Sequence, residues 1–395
     1  MGLRNRRDSV TTTKKALTLK VRLLFLNNYE RNFQMPLKTT TIGAFPKPES
    51  TPVGDWFMAN KTDEERKASK GLLENWTPGG YEVSLEEAGD CAEERFLLAT
   101  KEVINDQVNA GIDIPTDGEV RRENYIHYQC RRLVGVNFQA VTHRSVRDGA
   151  FEADLPTIES PINLKETRLK IDWKLAQQFT KNPVKITLPG PMTIADSIAN
   201  NYYSDDMTMG ADLAEALNKE VKALADAGCT YIQIDEPIFA RKPEEALEYG
   251  FENLERTLHG IPKEVNRVVH MCCGYPSSLD ADDYKKADRD AYLKIVSAIE
   301  DSSIDEVSIE DAHRHNDLMI LEKFLKTKVI LGVIDIARSR IESVEEVRAR
   351  LLEALEHIDP ERLIAGPDCG LGFFSREQAI HKMKIMSEAA HSINT

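Results

Sequence analysis

The chain has 395 residues, which is enough for one large α/β barrel or for two domains of ordinary size. Its formal net charge of -14 excludes the broad basic face that nucleic-acid binding requires, so we expect a small-molecule partner and no nucleic acid. No apolar run approaches the roughly 20 residues that span a bilayer, which argues against a membrane protein. The six cysteines show no short-spaced disulfide framework, as is typical of the reducing cytoplasm.

Residues 1–34 differ in composition from the remainder. Their arginines and lysines greatly outnumber their two acidic residues, Asp8 and Glu30, and a second methionine, Met35, follows. We interpret 1–34 as a basic leader or disordered tail and 35–395 as a single domain. If the leader is a transit segment, the protein is mitochondrial instead of cytoplasmic.

From Thr39 onward, β-rich runs alternate with helical stretches. The eight runs are 39–45, 112–119, 184–190, 231–237, 267–274, 306–312, 328–336 and 362–369. Predicted helices include 213–228, 343–358 and 375–390, the last two beginning at N-cap serines. Eight such units predict an α/β fold of the (β/α)8 TIM barrel type. An open doubly wound sheet is the alternative, but the first strand is not followed by a GxGxxG turn.

Two stretches, 46–82 and 130–159, interrupt this alternation. We interpret them as insertions after strands one and two, on the side of a barrel where insertions commonly wall the active site. Polar residues end nearly every strand from the second onward: Asp117, Glu119, Asp235, Glu236, His270, Cys272, Glu310, Asp311, Asp335, Asp368 and Cys369. One carboxylate at a strand end usually caps the next helix, but several at one barrel mouth require a compensating cation.

The motif HMCC contains the strongest candidates for metal ligands. Residues i and i+2 of a strand share a face, so His270 and Cys272 point into the mouth while Cys273 points toward the helices. Glu310 and Cys369, at the ends of strands six and eight, complete a nitrogen, sulfur and oxygen set that suits tetrahedral zinc. The alternative is that the cysteines are small buried apolar residues.

The segments TTTIGAFPKP, DGEVRREN, LPGPMTIADS, QIDEP, HMCC, VSIE and PDCGL resemble, in order, those of the catalytic barrel of the cobalamin-independent methionine synthase family. The resemblance extends from about Thr39 to the C-terminus. Because the N-terminal second barrel of the full-length enzymes is missing, the chain resembles the short, single-barrel branch, which includes archaeal-type methionine synthases and epoxyalkane:coenzyme M transferases.

This resemblance implies a zinc-dependent thiol methyltransferase that converts homocysteine to methionine. The implied zinc ligands are His270, Cys272, Glu310 and Cys369. The implied substrate-binding residues are Glu119 and Asp235, which would grip the α-ammonium group, with Gly43 and Ala44 beside them. Coordination to zinc deprotonates a thiol and leaves a nucleophilic sulfur, which can then displace a methyl or alkyl group from its donor.

Three positions depart from the family pattern. Ala44 stands where the methionine synthases usually have serine. Ser197 stands where the folate-using enzymes have a tryptophan that stacks on the pterin, and Ala337 where they have a histidine that protonates the folate. We therefore expect a donor other than triglutamyl methylfolate, such as a methylated corrinoid that is free or carried by a partner protein.

Alternative interpretations remain open at this stage. Alkyl transfer to another thiol, as in the epoxyalkane:coenzyme M transferases, is disfavoured because a sulfonate thiol has no ammonium group for two carboxylates. A metal-dependent hydrolase is a second alternative, and a non-catalytic binding module a third. His313 and His315 can be proton donors near the mouth or can cap the next helix. The stretch 121–124 can bind an anion or form ion pairs.

Overall fold

The computed structural model describes residues 36–54, 79–146, 151–274, 276, 278–282 and 286–394. The predicted leader 1–34 lies outside these residues, as do residues 55–78 of the first predicted insertion. Among the helices of the described part of the chain, none combines the length and apolar composition that a bilayer crossing requires.

Strands and helices alternate along most of the described chain. The strands are β1 Lys38–Thr39, β2 Leu133–Val146, β3 Phe151–Leu164, β4 Ile186–Pro189, β5 Ala199–Asn200, β6 Tyr231–Asp235, β7 Asn266–Met271, β8 Glu306–Ile309, β9 Lys328–Ile334 and β10 Leu363–Pro367. The α-helices are α1 Gly80–Ala88, α2 Ala92–Asn109, α3 Tyr125–Cys130, α4 Leu169–Gln177, α5 Pro191–Ser197, α6 Asp206–Asp226, α7 Pro237–Arg241, α8 Pro243–Glu245, α9 Phe251–Leu258, α10 Ala291–Asp301, α11 Val344–Ala354 and α12 Arg376–His391.

Seven strands form one parallel sheet in the order β1-β10-β9-β8-β7-β6-β4. Most of their residues are buried, as expected of parallel strands that are covered on both faces and read as continuous apolar runs. The observed architecture is therefore an α/β fold on a curled parallel sheet. Six of the eight predicted strands are confirmed. The predicted first strand, 39–45, is confirmed only at Thr39, because β1 ends there and is followed by an isolated bridge at Thr40.

The predicted second strand, 112–119, does not form a regular strand. Isolated parallel bridges join Ile114 to Thr40, just after β1, and Thr116 to Lys185, just before β4. The segment thus touches both edges of the seven-stranded sheet. Its irregularity has a local cause, because Pro115 lacks an N–H group for a strand ladder and Gly118 has a positive φ of 67°.

The second predicted insertion forms a long hairpin. Strands β2 and β3 pair antiparallel, and β5 adds a short parallel pairing to β3, so these three make a separate sheet. The predicted helices correspond to α6, α11 and α12. Ser343 and Ser375 cap α11 and α12 as predicted, each within a capping box whose reciprocal partner is Glu346 or Gln378, respectively.

Candidate metal centre and substrate pocket

The predicted metal ligands lie at the carboxyl ends of three strands of the parallel sheet. His270 is in β7 and Cys272 follows it, Glu310 comes directly after β8, and Cys369 comes two residues after β10. Because parallel strands end at the same edge of their sheet, this placement brings residues distant in sequence to one place.

Three of the four predicted ligands form a compact group. The ligating atoms of His270, Cys272 and Cys369 all lie within 4.8 Å of one another. The Nε2 atom of His270 is 3.3 Å from the Sγ atom of Cys369. His270 and Cys272 are buried and Cys369 is half-buried, and the nitrogen and two sulfurs of this group are donors that zinc accepts.

Glu310, the fourth predicted ligand, contacts this group through one carboxylate oxygen. Its Oε1 atom accepts hydrogen bonds from the Cys272 thiol at 3.1 Å and from the Cys273 N–H group at 2.9 Å. The Glu310 side chain is fully buried. The His270, Cys272 and Cys369 group therefore fits a metal ion that accepts one nitrogen and two sulfur donors, and the Glu310 carboxylate lies beside one of these sulfurs.

The orientation of His270 is fixed by a neighbouring strand. Its Nδ1 atom lies 3.0 Å from the Ser308 hydroxyl of β8, which turns Nε2 toward the cysteines. A second hydrogen bond of this kind is the usual way to orient a metal-binding imidazole. Burial lowers the pKa of His270 to about 3, so the ring is neutral and available as a ligand.

Cys273 points away from the group, as the strand alternation predicts. Its thiol donates to the hydroxyl of Tyr292 in α10 at 3.0 Å. The same hydroxyl donates to the Met271 carbonyl at 2.9 Å and accepts the Glu310 N–H group at 3.0 Å. Sequence reasoning did not identify Tyr292, because no local motif relates a helical tyrosine to two strand ends.

Glu119, a predicted substrate-binding residue, is held in an unusual backbone conformation. Its φ of 57° is left-handed, which is costly for a residue other than glycine. Its Oε1 atom accepts from the Thr187 hydroxyl at 2.9 Å and lies 3.5 Å from a guanidinium nitrogen of Arg122. Gly43 approaches this oxygen so closely that a Cβ atom there would lie 2.7 Å from it. An alanine at position 43 would therefore displace the Glu119 carboxylate.

Asp235, the second predicted carboxylate, lies at the end of β6. Its Oδ1 atom accepts from Gln233 Nε2 at 2.7 Å, and the same Gln233 nitrogen donates to the Ile42 carbonyl at 2.8 Å. Burial, followed by the charge of Glu119, raises the pKa of Asp235 well above its usual range. Burial also raises the pKa of Glu119, although Arg122 opposes this. A bound ammonium group would offset both effects.

The candidate site has two halves, the metal-ligating group and the carboxylates Glu119 and Asp235, and Ala44 lies between them. Its carbonyl accepts the Leu371 N–H group at 2.8 Å, and a Cβ atom on Gly370 would lie 3.2 Å from the Ala44 methyl group. Gly43 contacts the carboxylate side while Ala44 packs against the loop that follows Cys369. The structure thus brings the predicted substrate-binding residues next to the group of His270, Cys272 and Cys369.

Two open questions from the sequence now have answers. Arg121 pairs with Glu93 at 2.8 Å and Arg122 with Asp117 at 3.2 Å, so the stretch 121–124 forms ion pairs. Asp317, and not a histidine, caps the helical turn Leu318–Lys323.

His313 and the two folate-related positions can also be located. The Nδ1 atom of His313 lies 3.4 Å from Asp335 Oδ2. Ala337, two residues beyond Asp335, is completely buried and presents only a methyl group. Ser197, the last residue of α5, is half-buried.

Comparison with known proteins identifies the family. Residues 82–392, well over half of the chain, match the family described as "Cobalamin-independent synthase, Catalytic domain". The chain belongs to this family. The methionine synthase of Thermococcus kodakarensis is 32% identical to it over 355 residues, which cover 88% of this chain and 90% of that protein. The methionine synthase of Sulfolobus acidocaldarius is 29% identical over 349 residues, 88% of this chain and 89% of that protein.

Solved structures of the cobalamin-independent synthases have the same fold. The B12-independent methionine synthase from Shewanella sp. W3-18-1, in complex with selenomethionine, superposes with a TM-score of 0.75 at 29% identity, covering 90% of this chain and 97% of that one. A putative vitamin-B12-independent methionine synthase from Listeria monocytogenes gives a TM-score of 0.62 at 19% identity, covering 91% and 99%, a likeness of fold alone. The chain is accordingly a methyltransferase of the methionine synthase kind.

Proposed function

We propose that this chain methylates homocysteine to methionine at a zinc site formed by His270, Cys272, Glu310 and Cys369. The observation that carries the proposal is the adjacency of two chemically different groups. A set of metal-ligating atoms lies on one side of Ala44, and a pair of buried carboxylates lies on the side of Gly43. Homocysteine presents a thiol to the first and an α-ammonium group to the second.

The metal site and the paired carboxylates have different roles in the proposed reaction. When bound, zinc supplies the Lewis acidity that lowers the pKa of the substrate thiol and makes its sulfur nucleophilic at neutral pH. Glu119 and Asp235 bind the ammonium group and so fix the direction of the thiol. The sulfur–methyl bond forms as the bond between methyl and donor breaks, and the thiol proton is released to solvent. Positioning contributes to the rate because both reactants are held before they react.

We further propose that the methyl donor is not triglutamyl methylfolate. The half-buried Ser197 offers no aromatic face for a pterin, and the buried methyl group of Ala337 offers no proton. A methylated corrinoid requires neither a stacking surface nor a proton, because its leaving group is a cobalt centre. A corrinoid, carried by a partner protein or free, is therefore the donor that we propose.

Transfer of an alkyl group to a different thiol, as in an epoxyalkane:coenzyme M type transferase, is the second candidate. Ala44, in place of the usual serine, is the observation that favours it, because a changed contact beside the substrate changes which thiol fits. The paired carboxylates Glu119 and Asp235 favour homocysteine, since a sulfonate thiol would place a negative charge beside them.

We also propose that residues 35–395 form one domain and that the segment around Ile114 closes the sheet into a (β/α)8 barrel. The bridges from this segment to both sheet edges support closure. A metal-dependent hydrolase on such a barrel is a weaker alternative, because two thiols dominate the donor set and the paired carboxylates suit an amino acid.

A chelator-protection assay tests the acceptor. Zinc-loaded protein is mixed with a chromophoric chelator alone, with homocysteine or with 2-mercaptoethanesulfonate, and zinc release is followed. We expect homocysteine to slow the release and the sulfonate thiol to have no effect. Protection by the sulfonate alone would favour the alternative acceptor. Turnover of methylcobalamin and of triglutamyl methyltetrahydrofolate is then compared, and equal rates would refute the proposed donor.

A further inference from the structure

One cation lies against the proposed metal site. The Nζ atom of Lys286 is 2.5 Å from the Oε2 atom of Glu310. The Glu310 side chain is fully buried and only 15% of the Lys286 side chain is exposed, so solvent screens this ion pair weakly. Sequence reasoning gave Lys286 no role, because it lies 13 residues after His270-Met271-Cys272-Cys273 in a stretch without a motif.

The backbone next to Lys286 is fixed from two directions. The N–H group of Ala287 donates to the Cys273 carbonyl at 2.7 Å. Arg314, in the segment after β8, donates to the Ala287 carbonyl at 3.1 Å and to the Asp288 carbonyl at 2.8 Å. The loop that presents Lys286 is thus tied to the strand ends that carry Cys272 and Glu310.

The two oxygens of Glu310 have different partners. Oε1 faces the Cys272 thiol and the Cys273 N–H group, on the side of the metal-ligating atoms, whereas Oε2 faces Lys286. A metal ion held with Cys272 would therefore meet Oε1 alone. The ammonium group on Oε2 opposes a switch of the carboxylate to two-oxygen coordination.

Lys286 also compensates negative charge at the site. A divalent ion held by a neutral imidazole, two thiolates and one carboxylate has one net negative charge, and an arriving substrate thiolate makes it two. Uncompensated charge in a buried site is costly. The Lys286 ammonium group, beside Glu310, offsets one of these charges.

We propose that Lys286 is a positioning residue of the metal centre, which holds Glu310 as a one-oxygen ligand and serves as the counter-ion of the site. This inference rests on the proposed function, because it assumes that Glu310 binds the metal. It extends that function to Lys286, a residue outside the proposed ligand set and the predicted substrate-binding residues.

Zinc affinity of the purified full chain, measured by competition with a fluorescent chelator, tests the inference. Lys286→Met removes the charge at similar volume, and we expect a 10- to 100-fold loss of zinc affinity, as for other partners of metal ligands. Lys286→Arg keeps the charge and should lose less than about fivefold, since only the geometry of the donor changes. Lys294→Met is the matched control, because Lys294 forms an exposed ion pair with Glu244, and its affinity should match the wild type.

Cobalt(II) absorption provides a second readout, because its ligand-field bands report the coordination of the carboxylate. We expect the bands to change in Lys286→Met and to be kept in Lys286→Arg. If Lys286→Met does not fold, Lys286→Gln replaces it. Equal zinc affinities in the neutral and charged variants, or tighter binding in the neutral one, would overturn the inference. Failure of the wild type to bind zinc at all would instead refute the proposed function.

Discussion

The two halves of the site are built in different ways. The metal half stands on regular strand ends, where the alternation of β7 places His270 and Cys272 together and sends Cys273 to the helix layer. The carboxylate half stands on irregular backbone, with a left-handed Glu119 and a glycine at 43 that makes room for its side chain. Regular geometry can be inferred from spacing, whereas irregular geometry depends on contacts distant in sequence. The predictions below separate these halves.

The largest effect should come from the metal half. Cys272→Ala removes a ligating sulfur, and we expect zinc affinity to fall by more than the 10- to 100-fold that loss of an outer partner causes. Cys273→Ala is the matched control, because this neighbouring thiol contacts Tyr292 instead. Zinc per chain, measured by mass spectrometry after dialysis, should be near zero in the first variant and near one in the second. Equal zinc contents would show that the strand alternation was assigned incorrectly.

The next effect concerns the carboxylate half alone. Asp235→Asn removes one charge from the pair, and homocysteine binding should weaken by about 2–5 kcal/mol, the usual effect of removing one partner of a buried charge pair. Zinc content should be unchanged. Isothermal titration of the zinc-loaded protein with homocysteine measures the loss, and an unchanged affinity would remove Asp235 from the ammonium site.

The same variant should gain stability without substrate, and the gain should depend on pH. The pKa of Asp235 is raised in the folded state, so its contribution to stability falls as pH rises from the ordinary aspartate range toward the raised pKa. Asp235→Asn has no such charge to bury. We expect its melting temperature to exceed that of the wild type at pH 8, with a smaller difference at pH 5. A constant difference would contradict this assignment of the buried charge.

Gly43→Ala should disturb the carboxylate half of the site through Glu119. The added methyl group displaces the Glu119 carboxylate from its contacts with Thr187 and Arg122, and we expect about a tenfold loss of homocysteine affinity, close to 1.4 kcal/mol. Gly54→Ala is the control, since a Cβ atom at position 54 meets nothing within 4 Å. Full homocysteine affinity in Gly43→Ala would mean that Glu119 does not bind the substrate.

The smallest effect should come from Tyr292→Phe. This variant removes one hydroxyl from between two strand ends and leaves every proposed ligand in place. We expect a loss of about 1 kcal/mol in the free energy of unfolding, because the hydrogen bonds of the hydroxyl are lost. Denaturant titration measures it, with exposed Tyr202→Phe as the control. A loss no larger than in the control would refute a bracing role for Tyr292.

The sequence predicted the fold well where local rules apply. Apolar runs and serine caps located six strands and the helices α11 and α12, because burial and capping leave local signals. The run 112–119 is predicted as a strand because it is a β-rich run that ends in polar residues. Pro115 and the left-handed Gly118 prevent a regular ladder there, and single bridges take its place.

The site was predictable to a similar degree. Spacing alone paired His270 with Cys272, whereas the substrate roles of Glu119 and Asp235 came only from the family resemblance. The sequence did not predict a role for Lys286 or Tyr292. Their roles arise where a loop and a helix pack against the ends of β7 and β8, and no short stretch of sequence records such packing.

Zinc X-ray absorption on the purified protein, with and without homocysteine, tests the central claim most directly. Without homocysteine we expect a first shell of one nitrogen, two sulfurs and one oxygen. With homocysteine, one additional sulfur should enter the shell. An unchanged shell, or a protein that holds no zinc, would contradict thiol activation at His270, Cys272, Glu310 and Cys369.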